Sequence, residues 1–356
     1  MGRRLLIALG VFAAAIVVLV LMRGPLSVAI MRRVIERNIG NEFVAGLPDG
    51  LHVVLCGAGG PLPDPIRSGP CVAVVAGKTF FIVDAGSGAA RSLGRMRMPP
   101  GEVDAVLLTH FHSDHIDGLG ELSTLRWAGA AQHEPLPVVG PTGVEDVVDG
   151  FNQAYRQDAA YRVAHHGEET VPPSGAGLRA DGFTTPLPGH PVVVWEAGDL
   201  KVTAFAVDHE PVRPAVGYRF DYGGRSVVVS GDTKKSASLQ SQAQGVDLLV
   251  HEALSDRLVG EIHAGAKAAG VANIVKITSD IPDYHTTPVE AAEIAEAAGA
   301  AHLLYYHVVP PMPLPGLEAV FLEGVDDAYS GAVTVGRDGT TVFLPAGSDT
   351  IEVSSQ

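Results

Sequence analysis

Thr109-His110-Phe111-His112-Ser113-Asp114-His115 is the stretch on which the fold of this 356-residue chain turns. It places three histidines and a carboxylate within six residues, directly after the apolar run Ala105-Val106-Leu107-Leu108, which has the character of a buried strand. Side chains in extended backbone alternate with period 2, so His110 and His112 project to one side and can share one ion. At the turn that follows, Asp114 and His115 point elsewhere and can hold a second. Four residues do not complete two metal sites, so further ligands are expected at strand ends downstream. His209 follows the run Thr203-Ala204-Phe205-Ala206-Val207-Asp208, Asp232 sits in Ser230-Gly231-Asp232-Thr233, and His307 follows Leu303-Leu304-Tyr305-Tyr306. With these three the count reaches what a binuclear site needs.

Outward from this segment the chain runs in short β-rich stretches separated by Gly/Pro turns. Strands are expected at 52–55, 72–76, 79–84, 103–109, 136–139, 192–195, 201–207, 216–220, 226–230, 248–251 and 302–306, with a late hairpin of 332–335 and 341–344 turning at Arg337-Asp338-Gly339. Helices are expected at 116–128, 142–157, part of 254–272, and 288–298, where Pro288 suits a first helical turn. Residues 161–188 and the Pro-rich 308–325 read as irregular excursions. So many strands point to an α/β architecture with two sheets packed face to face and helices outside.

These motifs resemble the metallo-β-lactamase superfamily and, within it, the ribonuclease Z-like and arylsulfatase-like branch. The resemblance spans about residues 50–346 and is carried by Gly57-Ala58-Gly59-Gly60-Pro61, Val83-Asp84-Ala85-Gly86, the His-x-His-x-Asp-His segment, Gly140-Pro141-Thr142-Gly143, Gly217-Tyr218-Arg219, His251-Glu252-Ala253, His285-Thr286-Thr287 and Tyr306-His307. It implies an αββα four-layer sandwich. It also implies that His110, His112 and His209 bind one metal, Asp114, His115 and His307 a second, and that Asp232 bridges them. Asp84 matches a position that orders the ligands from behind. His285 matches the position of a proton donor, with Glu252 as its orienting partner. The implied chemistry is hydrolysis by a metal-bridging hydroxide without a covalent intermediate. Asp114 would also accept a hydrogen bond from that hydroxide, and His285 would serve the leaving oxygen. Two divalent ions are implied, zinc first, with manganese or iron compatible. His251 reads as a structural strand-end residue, and His133, His165, His166, His190 and His263 as surface residues. Cys56 and Ala58 depart from the branch pattern in the first loop.

Composition narrows the substrate. With 25 Lys+Arg against 40 Asp+Glu, the formal charge is −15, which disfavours a nucleic-acid partner because such affinity rests largely on cationic side chains meeting phosphates. Only 23 positions separate His209 from Asp232, leaving no room for the arm that a ribonuclease Z inserts there to hold pre-tRNA. The expected activity is therefore cleavage of small phosphodiesters or aryl sulfate esters. A ribonuclease Z-type tRNA 3′ endonuclease, a lactonase or β-lactamase attacking a carbonyl, and a non-catalytic metal-binding module are the competing readings. A homodimer is compatible with the sequence.

Residues 5–22 carry no charge, follow Arg3 and Arg4, and end at Arg23-Gly24-Pro25. At about 1.5 Å per residue such a helix nearly matches a bilayer's hydrocarbon thickness. The expected organisation is thus an N-terminal transmembrane helix at 1–25, a juxtamembrane segment and linker at 26–49, and a hydrolase domain at 50–350, membrane-anchored and extracytoplasmic. The chain has two cysteines, Cys56 and Cys71, on neighbouring strand candidates; they are expected to be bridged if the domain lies outside the cytoplasm, and otherwise to be two free thiols.

Overall fold

A computed structural model describes residues 2–40 and 42–355. The chain divides into two compact units, residues 1–43 and 44–356. The first is built on one helix, α1 (Gly2–Asn38). It continues through Arg23-Gly24-Pro25, where the anchor was expected to stop, and takes in Arg32, Arg33 and Arg37. The apolar run is therefore one half of a longer helix whose other half is cationic, and not a separate segment with its own ends. Among the described residues no helix is long and apolar enough to cross a membrane. This corrects the expected transmembrane helix, and the membrane anchoring and extracytoplasmic placement drawn from it fall with it. The side chains of Leu6, Val11, Ala14 and Ala15, within the expected anchor, lie outside the described residues.

The second unit has two sheets. The first contains β1 (Gly50–Gly57), β2 (Cys71–Ala76), β3 (Thr79–Val83), β4 (Ala105–Leu107), β5 (Leu136–Pro141) and β6 (Leu178–Phe183). The second contains β7 (Val192–Ala197), β8 (Leu200–Ala206), β9 (Val216–Tyr222), β10 (Arg225–Val229), β11 (Leu248–Leu254), β12 (His302–Val309) and β13 (Ala332–Val335). The chain then returns to the first sheet as β14 (Thr340–Pro345) and β15 (Glu352–Ser355). The orders are β15-β14-β1-β2-β3-β4-β5-β6 and β13-β12-β11-β10-β9-β8-β7.

Period-2 alternation makes the layers. On β10 and β11, Val227, Val229, Leu248 and Val250 enter the core between the sheets, whereas Val228 and Leu249 face the outer helices. Phe81, Tyr218, Phe220 and Tyr306 fill the inner layer. The helices are α2 (Ala89–Arg95), α3 (Ser113–Ile116), α4 (Leu119–Ala130), α5 (Val144–His166), α6 (Ala237–Gln242), α7 (Asp256–Ala269), α8 (Ala272–Asp280), α9 (Pro288–Ala298), α10 (Leu317–Phe321) and α11 (Val325–Ala328). Helices α4 and α5 pack beside β5, while α6 and α9 cover the outer face of the second sheet. The result is the four-layer α/β sandwich.

Local chemistry explains where the elements end. Helix α9 starts at a capping box in which Thr287 and Glu290 satisfy each other's backbone N–H groups, and it stops at left-handed Gly299. That box fixes the exit of the His285-Thr286 segment. Several expectations change. The late hairpin does not form: β13 pairs parallel to β12, while β14 pairs antiparallel to β1 in the other sheet. Asp338, between them, accepts hydrogen bonds from Ala58 N–H at 3.1 Å and Ser68 N–H at 3.0 Å, so the turn staples the first loop. The segment 161–188 contains β6, whose Arg179, Asp181 and Gly182 break the apolar pattern because it is the last strand of its sheet. The span 254–272 contains α7, and α8 follows it as a second helix. Cys56 and Cys71 form a disulfide, with Cα atoms 5.0 Å apart.

Candidate metal centre

The site lies at one edge of the sandwich, where strands from both sheets end. Strand β3 ends at Val83, and the next residue, Asp84, turns into the left-handed region at φ 56°. Its buried carboxylate accepts from Thr109 N–H at 2.8 Å and Thr109 Oγ1–H at 2.7 Å, and pairs with His115 Nδ1 at 2.8 Å. One aspartate thus holds both ends of the His110–His115 turn. His112 occupies the N-cap position of α3, so Ser113, Asp114 and His115 curl into a helical turn while His110 and His112 remain extended. This is the division of directions expected from the spacing.

The other side chains arrive from the second sheet. His209 follows β8, Asp232 follows β10, and His307 lies within β12. The pairing of β12 with β11 slips there: Glu252 faces Tyr306 and Ala253 faces Val308, leaving His307 as the extra residue of a bulge, at φ 44°. A bulge re-aims a side chain that a regular strand would commit to one face, and a left-handed non-glycine residue stores strain. Asp84 and His307, two of the four non-glycine residues with positive φ among those described, both belong to the centre.

Asp232 lies between the two halves. Its Oδ2 is 3.8 Å from His110 Nε2, 3.9 Å from His209 Nε2, 3.4 Å from His115 Nε2 and 3.3 Å from His307 Nε2. Asp114 Oδ2 is 3.3 Å from His307 Nε2 and 3.6 Å from His115 Nε2. Ligand atoms of His110, His112, His209 and Asp232 lie within 4.8 Å of one another, as do those of Asp114, His115 and His307. A third grouping of Asp232, His285 and His307 overlaps both. All seven side chains named from the sequence therefore converge.

Buried charge shapes the group. Burial pushes the His110, His112 and His209 imidazoles down, toward the neutral form that can ligate. Burial also opposes charge on His115, but Asp232 and Asp84 together outweigh it and hold that imidazole well above its usual range. Burial would raise Asp232, yet His307, His115 and His110 keep its carboxyl well below the ordinary carboxylate range. His115 Nε2, His209 Nε2 and Asp232 Oδ1 are buried without a hydrogen-bond partner. Orphaned buried nitrogens and a carboxylate oxygen fit divalent cations, since such groups are costly without one. These histidine and aspartate groups could hold metal ions.

His285 lies beside the centre. Its Nδ1 is 3.0 Å from Glu252 Oε1, which also accepts from Thr233 N–H at 3.1 Å and Thr286 N–H at 3.2 Å. Its ring centroid is 5.6 Å from that of His307 and 5.2 Å from that of His209. Burial would lower His285, but the Glu252 carboxylate outweighs it and pushes it up to about 9. Three residues at the site carried no signal in the metal spacing. The Tyr284 carbonyl accepts from His209 Nδ1 at 2.8 Å, and its ring lies 5.3 Å from the His209 ring. Ile262 and Ile277 line a cavity shared with Tyr284, His285, His112 and Asp114, and their amphipathic spacing on α7 and α8 was the clue available. His251 is buried with Nδ1 on the Glu252 carbonyl, and His263 bonds Thr278.

The fold and this centre define a hydrolase of the beta-lactamase superfamily, and the chain belongs to that superfamily: the profile of the beta-lactamase superfamily domain matches residues 79–308. Within it the chain falls in the ribonuclease Z-like branch. It is 35% identical over 293 residues to the Ribonuclease Z of Mycobacterium bovis, covering 81% of this chain and 96% of that protein. With the Ribonuclease Z of Mycolicibacterium gilvum the identity is 36% over 290 residues, covering 81% and 94%. Among solved structures, the metallo-beta-lactamase fold protein YhfI of Bacillus subtilis matches with a TM-score of 0.59 at 21% identity, covering 83% of this chain and 100% of that one. The short form of human tRNase Z matches with a TM-score of 0.58 at 19% identity, covering 83% and 99%. At those identities the structures speak for the fold alone.

The Ribonuclease Z relatives overturn the expectation of a small-molecule ester substrate and of nucleic acid as an unlikely partner. The formal charge of −15 is a sum over the whole surface, whereas contact with a phosphate depends on the charge at the centre, where cations would dominate.

Proposed function

We propose that this protein is a ribonuclease Z-type endonuclease that hydrolyses a phosphodiester near the 3′ end of a tRNA precursor. The observation that carries the reading is 35% identity over 96% of a protein named Ribonuclease Z, together with a full set of seven candidate ligands in one cluster. His110, His112 and His209 would hold one ion, Asp114, His115 and His307 another, and Asp232 would touch both. Divalent ions bound there supply a water that is nucleophilic at neutral pH and neutralise charge on a phosphoryl oxygen.

The protein's own groups do the rest. Asp84 keeps Thr109 and His115 in place, so the turn cannot swing away from the strand ends. Glu252 accepts from His285 Nδ1–H, which leaves Nε2 as the nitrogen to deliver a proton to the departing oxygen. Between His209 and Asp232 the chain makes only a loop, β9 and β10, so RNA is held without an inserted arm there.

The test is cleavage of a 3′-extended tRNA precursor by the full chain with zinc or manganese. A single cut that releases the 3′ trailer is expected. Intact precursor under conditions where bis(p-nitrophenyl) phosphate is turned over would overturn the reading.

A further inference from the structure

One wall of the site serves neither the ligands nor His285. Helices α7 and α8 form a hairpin closed by left-handed Gly270 and tied by His263 Nδ1 to Thr278 Oγ1 at 3.0 Å. Each is amphipathic: Val259 and Ile262 on α7, and Ile274, Ile277 and, just beyond α8, Ile281, recur at intervals of three or four and so share a face. These side chains and Tyr284 line a cavity of about 530 Å³ whose other end is formed by His112, Asp114, Asp232, His285 and His307. The apolar wall and the candidate centre therefore form one continuous space.

Among the described residues no lysine or arginine lines that space. It cannot hold a second phosphate by charge, so whatever enters its apolar end is uncharged. Ile277 is 50% exposed and Ile262 38%, although both lie at the mouth of a pocket, which leaves apolar surface for an occupant to cover. His285 stands at the boundary, so a group seated here hangs from the oxygen that His285 would protonate. In a ribonucleotide chain that oxygen belongs to a nucleoside, whose uncharged, flat-faced part is its base.

We infer that the α7–α8 hairpin is a subsite for an unstacked nucleobase, that of the nucleotide carrying the leaving oxygen, with Ile262 and Ile277 as specificity-determining residues. The inference rests on the ribonuclease reading. Stacking or apolar contact with one base contributes enough to change kcat/KM by about tenfold or more.

The experiment compares the full chain with its Ile277→Asp and Ile262→Ala variants on a 3′-extended tRNA precursor and on the same RNA made abasic at that nucleotide. It also follows the fluorescence of 2-aminopurine placed there, which reports unstacking on binding without needing turnover. The wild type should cleave the abasic RNA about tenfold or more slowly. Ile277→Asp should slow the intact RNA by a similar factor and abolish the difference between the two RNAs, and Ile262→Ala should narrow it. The 2-aminopurine signal should rise severalfold with wild type and not with Ile277→Asp. Equal cleavage of both RNAs by the wild type, or bound RNA with no fluorescence change, overturns the subsite while leaving the ribonuclease reading intact. A fluorescence rise that depends on Ile277, with no RNA cut, sinks the ribonuclease reading and keeps the subsite. No fluorescence rise and no cleavage defeats both.

Discussion

The turn from His110 to His115 and the strand ends carrying His209, Asp232 and His307 meet at one centre, but they are held there by different forces. In the turn, geometry is local: extended backbone gives way to the first turn of α3, and the Asp84 carboxylate grips Thr109 and His115. At the strand ends nothing local aims the side chains. Their convergence depends on the register of five strands in the second sheet and on the bulge that turns His307. The turn is therefore robust to changes elsewhere, while the strand-end half is only as good as the packing of the sheets.

The largest expected effect comes from the strand-end half. Asp232→Ala removes the one carboxylate near four imidazoles, so bound metal should fall from two ions to at most one per chain and kcat/KM by about a thousandfold or more. Metal analysis and cleavage rates check this, and a variant that keeps two ions and full activity would break the ligand assignment. Next comes a residue of neither half. His285→Ala should lower kcat by about a hundredfold or more, with metal content unchanged, if it serves the leaving oxygen. Loss of metal along with activity would make His285 part of the ligand set instead.

A smaller effect is expected from behind the turn. Asp84→Ala leaves all ligands in place but frees Thr109 and His115, and should weaken metal affinity by about 10- to 100-fold in a zinc titration. If affinity were unchanged, the turn would owe its geometry to the strand ends, and the contrast between the halves would collapse.

The smallest effect lies outside both. His52, packed on Phe343 with ring centroids 4.2 Å apart and bonded to the Pro48 carbonyl, has its pKa lowered by burial. Below its unfolded value of 6.5 the unfolded chain binds more protons than the folded one. Its contribution to stability is present above that pH and is lost as pH falls toward the folded value. Urea midpoints at pH 7.5 and 5.5 should fall with pH less steeply in His52→Phe than in the wild type. An equal slope would show that His52 titrates alike in both states.

Much of the fold was legible because buried strands leave a plain signal. Val227-Val228-Val229 and Leu248-Leu249-Val250 read as strands and are strands. Helix 288–298 was read to the residue, with Pro288 in its first turn, and the structure adds the Thr287–Glu290 capping box and the stop at Gly299. Sheet membership was not. The turn at Arg337-Asp338-Gly339 looks like a hairpin, yet β13 and β14 belong to different sheets, because what they pair with lies far away in sequence. Strand β6 was hidden by Arg179, Asp181 and Gly182, which an edge tolerates. In the N-terminal unit an uncharged run was read by its length, and the helix instead runs on through a cationic half.

The sequence by itself determined the chemistry: which side chains could ligate and that they number enough for two ions, while the family resemblance added Asp84 and His285. Side-chain type and period-2 direction are local properties, written residue by residue. Only the tertiary structure decided that these groups share one centre, that His307 reaches it through a bulge, and that an apolar hairpin walls it. Those facts depend on which strands pair and which faces pack, and they are settled by the collective burial of the two sheets against each other.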